Sequence, residues 1–63
     1  ISNKYPKEIV GKIGKSFTIL RPSGKVIIDD SIYDATSSDG FVEKNSKIKV
    51  VGNEGSALKV RKV

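Results

Sequence analysis

Two stretches near the end of the chain place apolar residues at every second position. Ile48 and Val50, then Leu58 and Val60, alternate with Lys47, Lys49, Lys59 and Arg61. A period of two belongs to a strand with one buried face, so Lys47 to Val51 and Ala57 to Lys62 are predicted as hairpin arms joined through Gly52-Asn53-Glu54-Gly55. Upstream, Lys25 to Ile28 and Ser31 to Thr36 flank Asp29-Asp30, which predicts a two-residue hairpin. Its register pairs Ile28 with Ser31, Ile27 with Ile32, Val26 with Tyr33 and Lys25 with Asp34, and calls for positive φ at Asp30. Val26, Ile28, Tyr33 and Ala35 then face a core, and Ile27, Ile32, Lys25 and Asp34 face away from it.

The stretch Glu8 to Leu20 is β-prone, and Gly11 and Gly14 interrupt its parity, which predicts a bend there that lets one strand serve two sheets. Ser16, Thr18 and Leu20 fall on one side of it, Phe17 and Ile19 on the other. Arg21-Pro22-Ser23-Gly24 has the residue choice of a type I turn. Ser37 to Gly40 reads as a loop, Phe41 and Val42 as anchors, and Glu43 to Ser46 as a turn in which Asn45 adopts a left-handed conformation. No helix of useful length fits. Five strands joined by turns predict an all-β fold, a small closed barrel, because closure removes edges that a tiny sheet cannot protect. The expected core is Leu20, Val26, Ile28, Tyr33, Ala35, Ile48, Val50, Leu58 and Val60. Residues 1–7 form a polar, flexible lead-in, and residues 8–63 a single domain.

At 63 residues, a domain buries only roughly 60% of its unfolded surface. With no cysteine and no histidine, neither a disulfide framework nor a structural zinc site reinforces it. The same absences remove the imidazole base, the thiolate nucleophile and the softer metal ligands. A non-enzyme without metal or cofactor is therefore expected. The chain is 37% hydrophobic and 30% charged, which places it among folded, soluble domains. No apolar run approaches the ~20 residues that span a bilayer, and no leader resembles a signal peptide. The chain starts at Ile1 rather than methionine, the expectation for a piece of a longer protein.

The net charge of +5 is unevenly distributed. Lys4, Lys7, Lys12, Lys15, Arg21 and Lys25 oppose only Glu8 in the first segment, and Lys44, Lys47, Lys49, Lys59, Arg61 and Lys62 oppose only Glu54 in the last. Between them Asp29, Asp30, Asp34, Asp39 and Glu43 meet no base. Such an order builds either a positive surface for an anionic partner or a barrel whose acidic middle strand neutralises its basic neighbours.

Motifs for catalysis or ligand binding fail on spacing. Gly14-Lys15-Ser16 would end a phosphate-binding loop only with a glycine at position 9, where Ile9 stands. A calcium loop ending at Asp39-Gly40 would need an oxygen ligand at Ala35. Ser16, Ser23, Ser31 and Ser46 lack a catalytic setting. Nucleic-acid binding through the outward Lys47, Lys49, Lys59 and Arg61 is the alternative function, but of Tyr5, Phe17, Tyr33 and Phe41 only Phe17 is placed outside as a stacking platform.

The pair Ile27 and Ile32 stands apart. A lone barrel would carry polar residues on that face, so the pair is either a cross-strand contact that stabilises the hairpin or, with Phe17 or Ile19, a patch rimmed by Lys25 and Asp34 that binds a partner or a second copy.

The order G-K-I-G (Gly11 to Gly14), L-R-P-S-G-K-V-I-I-D (Leu20 to Asp29), Y-D-A (Tyr33 to Ala35), G-F-V-E-K (Gly40 to Lys44), I-K-V-V (Ile48 to Val51) and L-K-V (Leu58 to Val60) resembles the C-terminal soluble domain of NfeD-like membrane proteins, over residues 10–61. Asp30 and Asn45 stand where that family commonly has glycine, a departure that bears on turn rigidity. The resemblance implies a five-stranded oligonucleotide/oligosaccharide-binding (OB) type barrel attached to transmembrane helices outside this chain. It also implies partners of the stomatin, flotillin and wider prohibitin-homology class, and a role in regulating membrane protease activity. The serine-protease domain of longer relatives contributes no residues here. The basic lead-in (Lys4, Lys7, Lys12, Lys15) favours a cytoplasmic position at the cell membrane.

Overall fold

The computed structural model describes residues 9–63. The lead-in expected at 1–7, with Tyr5, Lys4 and Lys7, lies outside the described residues.

Five strands follow one another with no α-helix among the described residues: β1 (Ile13–Ser16), β2 (Ser23–Ile28), β3 (Ser31–Ser37), β4 (Lys47–Glu54) and β5 (Ala57–Lys62). They close into a barrel in the order β1-β2-β3-β5-β4. Neighbours run antiparallel except β3 and β5, which pair in parallel from Ala35 opposite Leu58 to Ser37 opposite Val60.

The β2–β3 hairpin has the register its turn implies, with Ile28 opposite Ser31, Ile27 opposite Ile32, Val26 opposite Tyr33 and Lys25 opposite Asp34. Asp29 and Asp30 both take positive φ, 52° and 68°, the mirror-image turn that matches strand twist. Asp29 also forms a 2.6 Å ion pair with Lys12, whereas Asp30 has no ion pair among the described residues, so Asp30 is the position to relieve. Asp30→Gly is expected to stabilise the domain by about 0.5 kcal/mol and to raise Tm by roughly 2–4 °C in a thermal melt. A lower Tm would mean that the Asp30 side chain supports the turn.

β1 joins both halves of the barrel, pairing with β2 through Lys15 and Ser16 and with β4 through Ile13 to Lys15. The bend lies later than the glycines suggest. Gly11 turns the chain at φ 98°, but Gly14 sits within β1. The strand ends at Ser16, after which the N–H groups of Phe17 and Thr18 both donate to the Lys25 carbonyl, at 2.8 and 3.2 Å. Leu20 then bridges Val42. No type I turn forms at 21–24, because β2 already begins at Ser23. The last hairpin is tighter than its glycines predict, since β4 runs to Glu54 with an irregularity between Val50 and Gly52, leaving Gly55 and Ser56 as the turn.

Inside lie Ile9, Leu20, Val26, Ile28, Ala35, Val42, Ile48, Val50, Leu58 and Val60. Tyr33 is only partly buried against them, the intermediate burial common for a side chain with an apolar ring and a polar hydroxyl. Ile9 and Val42 enter the core from segments outside the strands. Phe41, expected as an anchor, is 58% exposed: Val42 takes the inward position at the Leu20 bridge, so its neighbour faces out.

Candidate functional site

Ser16 is fully buried. Its hydroxyl donates to the Glu43 carbonyl at 2.6 Å and accepts from the Ser46 N–H at 2.9 Å. That clamp, with Asn45 at φ 66°, fixes the 43–46 turn to the end of β1. The Gly14-Lys15-Ser16 triplet is thus structural, and its serine cannot reach a phosphate.

The outward face of β1, β2 and β3 is different in kind. Ile27 and Ile32 lie directly opposite each other, and Lys15 of β1 is in register with Ile27. Ile27 is half-buried by its neighbours, while Ile32 is 50% and Phe17 46% exposed. Phe17 adjoins Lys25 through its backbone N–H. Lys25 and Asp34, opposite each other one step along the hairpin, form an exposed ion pair. Ile27, Ile32, Phe17, Lys25 and Asp34 are therefore brought onto one face. Ile19 is set apart by the bend. It is exposed beside the Leu20–Val42 bridge, on whose other strand Phe41 is exposed as well. Inward parity at Val42 was the sequence signal that could have found Phe41.

Beside the ion pair a shallow open groove of about 450 Å³ runs past Thr18, Gly24, Lys25, Asp34, Thr36 and Ala57. Gly24 lines it without a side chain, and a Cβ there would stand 2.6 Å from the Thr18 hydroxyl oxygen. Thr18 accepts the Lys25 N–H at 3.0 Å, which holds the β1–β2 connection at the groove wall.

The basic residues occupy the other side. Lys47, Lys49 and Arg61 are exposed, Lys49 directly opposite Arg61. Lys59, shifted by the β4 irregularity, lies half-buried opposite Gly52 and beside Thr36. Among the described residues the acidic segment forms ion pairs with Lys12, just before β1, through Asp29 and with Lys25 of β2 through Asp34.

The described residues contain no helix long and apolar enough to cross a membrane. Residues 6–62 match the family described as NfeD-like C-terminal, partner-binding domain. The chain belongs to the NfeD-like family. Membrane protein NfeD1b of Bacillus subtilis (strain 168) is 48% identical over 63 residues, all of this chain but 14% of that protein's length. This NfeD-like domain is similar in structure to the C-terminal domain of stomatin operon partner protein 1510-C from Pyrococcus horikoshii, with a TM-score of 0.88, 29% identity and 97% of each chain covered. The soluble domain of a Corynebacterium glutamicum membrane protein implicated in regulation of membrane protease activity shares the fold, with a TM-score of 0.81 at 24% identity over 92% of this chain and 97% of that one. The NfeD-like barrel is thus a partner-binding domain of a family of membrane proteins.

Proposed function

We propose that this domain is a non-catalytic docking module that joins an NfeD-like membrane protein to a stomatin-like partner of the prohibitin-homology class, and so takes part in regulating membrane protease activity. The observation that carries the reading is the Ile27–Ile32 row with Phe17 beside it. These are large apolar side chains facing outward from a barrel whose interior is already filled by other residues. Exposed apolar groups rimmed by an ion pair have the composition of an interface centre with a polar rim. The name of the Pyrococcus horikoshii relative, a stomatin operon partner, supports the class of partner. The match to a family described as a partner-binding domain supports a non-catalytic role.

The test is the double substitution Ile27→Thr with Ile32→Thr, which keeps β-branching and hence the strand. Titrated against the purified stomatin-like protein of the same cell, the variant is expected to bind at least 30-fold more weakly, while Tm falls by only a few degrees. Unchanged affinity would make the pair a hairpin contact and end the reading. Loss of a dimer in sedimentation, with stomatin binding intact, would replace it with self-association.

A further inference from the structure

Two segments far apart in sequence, each rich in lysine, become one surface because β4 inserts between β1 and β5. Lys15 stands directly opposite Lys47, and Lys49 stands opposite Arg61 on one side and Ile13 on the other. Neither Ile13–Ser16, nor Lys47 to Val50, nor Leu58 to Lys62 contains a single Asp or Glu. Like charges placed directly opposite destabilise a sheet, and a barrel this small has little stability to spend on them. Between the cations Ile13 and Val51 are 46% and 41% exposed, giving the face an aliphatic element without any aromatic ring in β1, β4 or β5.

We infer that the β1–β4–β5 face rests on an anionic bilayer surface, with Lys15, Lys47, Lys49 and Arg61 among the lipid phosphates and Ile13 and Val51 against the headgroup–acyl boundary. A membrane surface asks only for dispersed positive charge and tolerates aliphatic side chains between the charges. Lysine and arginine suit it because their stems lie along apolar surface while their heads stay in water. A nucleic acid strand would want stacking platforms, which this face lacks. Relatives of this chain are membrane proteins, and tethering beside a bilayer makes weak contact effective by raising local concentration. The face meets the Ile27–Ile32 row at Lys15, which lies opposite Ile27, but its other cations, Lys47, Lys49 and Arg61, stand on β4 and β5, so the inference does not depend on the docking proposal. Together the two faces would hold a partner at a fixed orientation to the membrane.

The test is co-sedimentation of the chain with vesicles of phosphatidylcholine alone or with about 30% phosphatidylglycerol. Binding is expected only to the anionic vesicles and to fall steeply between roughly 50 and 500 mM salt. Each cation removed should weaken partition about fivefold, so Lys47→Gln, Lys49→Gln and Arg61→Gln together should weaken it roughly a hundredfold, with Tm unchanged or higher because like-charge repulsion is relieved. The charge-matched control Arg21→Gln, Lys25→Gln and Lys44→Gln, drawn from outside β1, β4 and β5, should weaken it less than fivefold, and the Ile27→Thr, Ile32→Thr variant should bind as the parent does. Equal losses in the two triple variants would reduce the effect to net charge and overturn the face. Equal partition to neutral vesicles would overturn the lipid. Binding of single-stranded oligothymidylate at salt concentrations that strip the chain from vesicles, lost in the first triple variant, would assign the face to nucleic acid instead.

Discussion

Gly14→Ala is expected to remove about 3 kcal/mol of stability and to lower Tm by roughly 12–24 °C. A Cβ at this position would lie 2.4 Å from the Ile27 carbonyl oxygen and 2.6 Å from Cγ1 of Ile28. The first obstacle is backbone, so relief would require β2 to move away from β1 at the seam that the Lys15–Ile27 and Ser16–Val26 pairs hold together. A domain of this length has roughly 3–9 kcal/mol in total, and the loss would leave a large unfolded fraction at physiological temperature. Gly52→Ala is the matched control. The nearest atom to its added methyl would be Cβ of Lys59 at 3.7 Å, ordinary contact, and its Tm should stay within a few degrees of the parent. Thermal melts of the two variants decide the matter, and a Gly14→Ala protein melting alongside Gly52→Ala would disprove the close approach.

Ile48→Ala should be nearly as damaging, costing roughly 2–5 kcal/mol. Ile48 is fully buried and lies opposite Gly14 on one side and Lys62 on the other, so β4 is held on both edges and cannot collapse into the cavity. Ile32→Ala removes the same atoms from a half-exposed site and should cost about 1 kcal/mol or less. Denaturant titration of both variants would measure the difference, and equal costs would mean that the two isoleucines share one environment. The pair also matters for the docking proposal, because an Ile32 whose removal hardly affects folding is better explained by what it binds.

Local chemistry in this sequence determined much of the molecule. Two residues between two β-branched runs set the β2–β3 register, because a one-residue slip would turn Val26 and Ile28 out of the core. The period-two pattern sorted Ile48, Val50, Leu58 and Val60 from the lysines between them, since successive side chains on a strand point to opposite faces. From these followed the outward placement of Ile27, Ile32, Lys25 and Asp34 on one face. Turn positions were less well determined: glycine at 11, 14, 52 and 55 looks alike in the sequence, yet only Gly11 and Gly55 have positive φ and Gly14 is required by a neighbouring strand. Such distinctions depend on what lies across the barrel, which no local pattern encodes. The same holds for Ile9 and Val42, which plug the core from irregular segments, and for Phe41, turned outward by a single bridge to Leu20. Strand order had the largest consequence. With β3 beside β5 and β4 beside β1, the acidic segment pairs with Lys12 and Lys25, and lysines and arginine from opposite ends of the chain meet on one face. Side-chain period is a property of a few consecutive residues, whereas strand adjacency is set by the free energy of closing the whole barrel, and that only the tertiary structure decided.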